Sequence, residues 1–548
     1  MTPSPARSVL TLATNVLVAA LLVSCGVETR TTSDVVHPTV EQSARLLTQA
    51  TFGPTPEEIV RLQNIGISVW FNEQFAKPQT LHLAHMNDSM ASLPAGQRLT
   101  ENHFLESFWR QAVQGDDQLR QRVTYALSQI FVISFQNDIL ATMPRGVAYY
   151  YDTLGALAFG NFRDLLEAVT RNPLMGVYLS SLRNEKTVGA RVPDENFARE
   201  IMQLFTIGLR QLNADGTDTT SPATPTYTND DIRGLAKVFT GWSWAGPDTS
   251  RGRFVGSSNP TPDPNRDWLQ MQSYPAYHET LEKVFLGVTI PANTSAQDSL
   301  KIALDTLFNH PNVGPFIGRQ LIQRMVTSNP SPAYIARVSA AFNDNGQGRR
   351  GDMKAVIKAV LLDPEALVPP TGNSSGKLRE PVLRLAHWMR AFHVRSASGR
   401  FKLTSTDNPL RSLGQTPMRS PSVFNFYRPE FQPPNTSLIA ANLNAPEMQI
   451  TEETSVFGYL NFMRDAVSVG IGTNRDIKAD YAPELALAAV PDQLIGRINL
   501  LLLQNQMSGA LRSQILSAIA SNANNSPANK VYLAVFLTVA SPEYLVQK

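Results

Sequence analysis

DENFAREIMQLFTIG (194–208) and TNDDIRGLAKVFTG (228–241) decide the fold class. In the first, Phe197, Ile201, Leu204 and Phe205 recur at three- and four-residue spacing and share one helical face. Ile232, Leu235, Ala236 and Phe239 do the same in the second. Thr228 is placed to cap that helix, with Asp231 three residues on, and Asp230 and Asp231 complement the positive end of the helix dipole.

Outward from these two helices the same signals repeat. Thr55-Pro56-Glu57-Glu58 reads as a capped helix start and Gly66 as its end. Asn161 caps a segment with Phe162, Leu165, Leu166 and Val169 in helical phase, which Asn172-Pro173 stops. Further helices are predicted at Leu119–Ile133, Gln297–Asn309, Val313–Met325, Pro332–Asn343, Lys354–Leu362 and Pro381–Phe392. Segments 482–504, 507–522 and 527–540 finish the chain. Between Trp242 and Leu286 lies a Pro/Asp/Ser-rich insertion with room for a short hairpin, and 394–437 is again rich in loop residues. The fold class is all-α: a large multi-helix domain over 41–548 with long irregular loops and little strand, with a possible sub-boundary near 364–377. No fixed-period repeat supports a solenoid.

The N-terminus has a separate character. A mostly apolar run from Val9 to Val23 follows Arg7, too short and too polar for a comfortable membrane span. It fits the apolar region of a secretory signal peptide over 1–24. Leu22-Val23-Ser24-Cys25 resembles the bacterial lipobox, which makes Cys25 the expected lipid-attachment site and 25–40 a polar tether. Two or three acyl chains, at about 0.8 kcal/mol per buried methylene, anchor far more firmly than one. Gly26 rather than Asp follows the cysteine, a sorting pattern that points to the outer membrane. Cys25 is the only cysteine of the 548 residues, so the body forms no internal disulfide. A net charge of +2, with no Lys/Arg stripe among exposed aromatics, argues against a nucleic-acid partner.

Several blocks together resemble a bacterial exported-protein family, domain-of-unknown-function family 1800. They are ARLLTQATFGPTPEEI (44–59), YYDTLGALAFGNFRDLLEAVTRNPLMGVYL (150–179), PDENFAREIMQLFTIGL (193–209), YTNDDIRGLAKVFTGW (227–242), KVFLG (283–287) and SPEYLVQ (541–547). Where many members carry Trp-His-Asn-His-Phe, this chain has TYALSQIF (124–131), so no role of those histidines transfers. The resemblance implies export, a helical fold and a co-exported protein partner of the sulfatase/alkaline-phosphatase-like class. It implies no reaction.

The catalytic signatures HExxH, GxSxG and the Walker loop are missing. His82 and His85 have a spacing that could share a metal, but their polar neighbours make a solvated helix face the simpler expectation. Glu195 and Arg199 lie opposite the apolar face of the 194–208 helix as an i, i+4 pair, whereas Glu200 stands at its edge. Glu200 is expected either half buried with a raised pKa, as suits a general acid, or paired structurally with a cation from another helix. Glu200, Asp230, Asp231 and His278 form the candidate acid/base set if they converge in one pocket. Trp242 and Trp244 are candidate sugar-stacking surfaces or core anchors; Arg199 and Lys283 are candidate binding cations. Asn213, Asp215 and Asp218 alternate around a glycine, loosely like the start of a calcium loop but without its twelfth-position Glu, and a tight turn explains them equally. Asn343–Gly346 is a similar turn. Arg419–Arg428 mixes basic and aromatic groups in a long loop that would line the same cleft.

Two functional readings follow. One is a lipid-anchored cell-envelope protein with a binding or scaffold role beside its co-exported partner. The other is a carboxylate-dependent hydrolase or lyase acting on envelope or extracellular polymers.

Overall fold

Capping chemistry sets most of the helix starts. In the computed structural model, which describes residues 37–259, 261–372, 375–521 and 526–548, the Thr55 hydroxyl accepts from the Glu58 N–H and opens the helix Pro56–Ile65, which Gly66 closes. Thr228 and Asp231 form a reciprocal capping box at the start of Asn229–Val238, and Asn161 caps Phe162–Thr170. The expected signal peptide 1–24, Cys25 and most of the expected tether lie outside the described residues. Of the tether's end, the His37 imidazole donates to the Gln63 carbonyl at 2.7 Å, and the first described helix starts at Val40.

Among the described residues there are 26 helices and eight strands of two or three residues. The strands form four antiparallel pairs, so helix packing builds the core. Residues Val36–Lys548 make one compact unit, and 364–377 lie inside it. Trp70, Trp109 and Trp388 are fully buried in a continuous apolar core. No helix among the described residues is long and apolar enough to cross a membrane.

Two expected helices are shorter than their apolar pattern. The 194–208 helix is regular only over Asn196–Gln203. Beyond it the Ile207 and Gly208 N–H groups both turn back to the Met202 carbonyl at 2.9 Å. Gly208 ends the turn at φ +71°, where a β-carbon would press on the Phe316 ring. The 119–133 helix runs only over Gln118–Ser128. The insertion after Trp242 holds two pairings rather than one hairpin. Trp242–Ser243 pairs with Gln272–Ser273, and Lys283–Phe285 turns back on Val288–Ile290.

The solvated placement of His82 and His85 is overturned: both are buried. Their helix, His82–Ala91, is held between Glu101–Gln114 and Pro144–Leu157 and faces the core with its histidines. The His82 imidazole meets the Ser107 hydroxyl at 2.9 Å and the Gln121 side-chain oxygen at 3.2 Å. Hydrogen bonding is what makes such burial tolerable. Desolvation, partly offset by the Gln121 bond, holds the His82 pKa down at about 4.

Buried arginines replace the missing disulfides as long-range ties. Arg390 donates to the Gly53 carbonyl at 2.6 Å and the Val113 carbonyl at 2.8 Å. Arg324 donates to the Gln129 carbonyl at 3.0 Å, and Arg45 to the Ala366 carbonyl at 2.7 Å. Each guanidinium satisfies carbonyls from other helices or loops, which fixes segments far apart in sequence.

Candidate functional site

The four acid/base candidates are each satisfied or isolated in their own surroundings. Asp231 is the most committed. One carboxylate oxygen accepts from the Thr228 N–H and hydroxyl at 2.7 Å, and the other accepts from the Leu286 N–H at 2.6 Å. Burial pushes its pKa up, but these bonds outweigh burial and hold it below the usual range. It therefore clamps its helix to the Lys283–Ile290 hairpin. Asp230 points to solvent and pairs with Arg233 at 2.7 Å. His278 is buried and donates from Nδ1 to the Thr240 carbonyl at 2.8 Å, with Nε2 unpartnered. Burial first, then the Lys283 charge, holds its imidazole below the ordinary range.

Glu200 takes the first of its two expected forms. It is buried, and among the described residues one oxygen has no partner and no cation lies within ion-pair distance; desolvation raises its pKa, with only Arg199 opposing. Arg199 itself pairs along its own helix with Glu195 at 3.4 Å. Lys283 is fully buried. Desolvation lowers its pKa, and the nearby Glu279 charge opposes. Glu279 is spent on the N–H groups of Thr187, Thr280 and Leu281 at 2.9–3.1 Å. His278, Glu279 and Lys283 thus staple the insertion onto the helical body.

The 213–218 segment is a turn closed on itself. Asp215 accepts from the Thr217 N–H and hydroxyl at 3.0 and 2.6 Å, Asp218 pairs with Arg210 at 3.0 Å, and the Asn213 amide donates to Thr217 and Asp218. Among the described residues no group of three or more His, Cys, Asp or Glu side chains is arranged to hold a metal ion. The 419–428 stretch is used elsewhere: Arg419 pairs with Glu101 and Asp407, and Arg428 lies over Phe424.

Of the predicted binding residues, Trp242 does meet a cavity. It lines a space of about 370 Å³ with Glu167 and Arg171 from one helix, Gln272 and Ser273 from the paired strand, and Gln297 and Lys301 from the helix Ala296–Asn309. The indole is buried, its N–H has no partner, and the Arg171 guanidinium lies 5.6 Å above its ring. The indole therefore forms a wall rather than an open stacking face. Trp244 is likewise buried under Arg266, 4.6 Å from the ring. The cavity is lined by amide donors and acceptors, two hydroxyls, from Thr249 and Ser273, and an apolar wall, with the Glu167–Arg171 pair and Lys301, itself paired with Asp305, as its charged groups. This composition suits recognition of a polar ligand; it contains no acid/base pair poised for bond cleavage.

A family model described as "Protein of unknown function (DUF1800)" matches residues 45–546. The chain belongs to the DUF1800 family. No curated protein and no solved structure matches it. The match spans the central helices, the insertion and the cavity, so these are features of the family domain in this member.

Sequence reasoning about this DUF1800 chain missed a buried polar network at its centre. One Glu380 oxygen accepts from Tyr125 at 2.8 Å, Gln129 at 2.5 Å, Gln415 at 2.6 Å and Tyr427 at 3.0 Å. Nearby, Lys377 and Glu447 form a fully buried ion pair at 3.1 Å. Tyr125 and Gln129 lie in TYALSQIF (124–131), where a tyrosine and a glutamine four residues apart on one helical face were the available signal. A second cavity, at Glu106 and Arg400, was missed as well.

Proposed function

We propose that this DUF1800 chain is a lipid-anchored binding protein of the cell envelope. In this reading it is exported by its signal peptide and held through Cys25 in the outer membrane. It works beside a co-exported partner of the sulfatase/alkaline-phosphatase-like class. The observation that carries the binding role is the Trp242 cavity, a polar space lined by residues from two helices and two strands while Glu200, Asp230, Asp231 and His278 line none of it. An enzyme of the carboxylate type needs its acid and base within reach of one bound substrate; a binding protein needs only the complementary wall.

The test is calorimetry of the purified chain with soluble fragments of envelope polysaccharide, with product release followed in the same samples. Binding without cleavage, weakened by Gln297→Ala and Lys301→Ala at unchanged melting temperature, is the expected result. Cleavage abolished by Glu200→Gln would replace this reading with the hydrolase. Neither binding nor cleavage would remove the cavity's role. The anchor is tested separately: Cys25→Ser should appear in the soluble fraction, and retention on membranes would refute lipidation at that residue.

A further inference from the structure

The second cavity, about 400 Å³, opens where the end of the helix His82–Ala91 and the start of Glu101–Gln114 meet residues 400–404 and Thr473. Its floor is a charged pair built for rigidity. Arg400 grips the buried Glu106 carboxylate with both prongs, Nε to Oε1 at 2.6 Å and Nη2 to Oε2 at 2.8 Å. Behind it the buried His85 Nε2 lies 3.9 Å from Glu106. A bidentate fork of this kind fixes the guanidinium plane. It also neutralises Glu106, so the pair adds no net charge.

The unspent charge is positive. Among the described residues the third nitrogen of Arg400, Nη1, has no protein partner and the Lys402 ammonium forms neither a hydrogen bond nor an ion pair; both residues line the cavity. Around these cations stand neutral groups that match hydroxyls, Gln97, Asn102, Thr404 and Thr473, while Pro94 and Leu403 supply apolar surface. A small anion would use the cations and leave the amides, hydroxyls and apolar patch unused. An acidic sugar uses all three, presenting carboxylate, hydroxyls and C–H faces together.

We propose that this cleft binds a uronic-acid residue of an acidic polysaccharide. Lys402 and the free edge of Arg400 take its carboxylate, and the amides and hydroxyls take its ring hydroxyls. Glu106 is a positioning residue that orients Arg400. The site is independent of the Trp242 cavity.

The test is calorimetric titration of the detergent-solubilised full chain with oligogalacturonate, a neutral maltooligosaccharide of the same length and sodium acetate. Oligogalacturonate should bind, more weakly as salt rises, and Lys402→Ala should weaken it by about tenfold or more at unchanged melting temperature. Glu106→Gln should weaken it while Gln297→Ala and Lys301→Ala leave it unchanged. Equal binding of the neutral oligosaccharide, indifference to Lys402→Ala, or no binding of oligogalacturonate would overturn the proposal. Binding by acetate of equal strength would reduce the site to an anion site. Loss of binding in the Gln297 and Lys301 variants would place the ligand in the other cavity and overturn this one while sparing the functional reading.

Discussion

The Val284 carbonyl oxygen lies so close to the bare Cα of Gly234 that a β-carbon built there would stand 1.6 Å from it. Glycine in a helix interior costs on the order of 1 kcal/mol relative to alanine. Here the cost is offset by the approach of the Lys283–Ile290 hairpin, which Asp231 then pins at Leu286. Gly234→Ala must push that hairpin off the helix, and a loss of about 2–3 kcal/mol is expected in chemical denaturation. Gly496, also in a helix but with nothing within 4 Å of a built β-carbon, is the control: Gly496→Ala should gain about 0.5–1 kcal/mol. Similar losses at both positions would disprove the close approach.

Glu200 supplies a pH-dependent prediction. Its folded pKa is raised by burial, so the folded state holds the proton more tightly than the unfolded chain. Stability is then greatest below the unfolded value and declines as pH rises through the folded one. Glu200→Gln should stabilise the protein at pH 7, on the order of 1 kcal/mol, and the gain should vanish near pH 4. A gain independent of pH would show that charge is not its cause.

His82 has the opposite sign. Its folded pKa of about 4 lies under the ordinary imidazole value of 6.5, so the unfolded chain takes up the proton first. The contribution is full above about 6.5 and is lost as pH falls toward 4, a span on the order of 3 kcal/mol. His82→Gln should reduce the slope of unfolding free energy against pH in that window by up to one proton, whatever its packing loss. An unchanged slope would mean that His82 is not the titrating group.

The Lys377–Glu447 pair tests the buried network. Desolvation raises the Glu447 pKa against the opposing pull of Lys377, so the ionised pair is costly to hold but costlier to break. Glu447→Gln alone should destabilise by about 3–5 kcal/mol, because Lys377 stays buried without its counter-charge. The double variant Lys377→Met with Glu447→Leu should recover most of that loss. Additive losses in the double variant would show that the two charges do not interact.

Helices were legible wherever a cap and a 3.6-residue apolar period coincided, as at Thr55, Asn161 and Thr228. Their ends were less so: Leu204, Phe205 and Ile207 keep the apolar period of the 196–203 helix, yet their backbone leaves it to reach Gly208. The buried histidines failed for a related reason. Hydrophobic periodicity sees only apolar residues, and His82 and His85 face inward as polar side chains satisfied by Ser107, Gln121 and neighbours many residues away. Trp242 was found because an indole beside an insertion is conspicuous on its own. Glu106 and Arg400 stand 294 residues apart, and nothing local in either segment announces the other. Gly234 announced itself as an oddity in a good helix, but only the fold supplies Val284 as its cause.

The tie between the first described helix and distant parts of the chain also has a meaning in time. Gln49 and Arg45 wait for the Ala366 carbonyl, and Thr48 waits for Gln504, 456 residues later. At about 5–20 residues per second, that partner leaves the ribosome roughly 20–90 seconds after Thr48 does. Until then Val40–Ala50 can pack on Pro56–Ile65 and Gln118–Ser128, but the polar side of its inward face lacks these partners. The first described helix therefore completes its hydrogen bonding only when residues near the far end of the chain have been made, so the order of synthesis places the closing of this face among the last steps of folding.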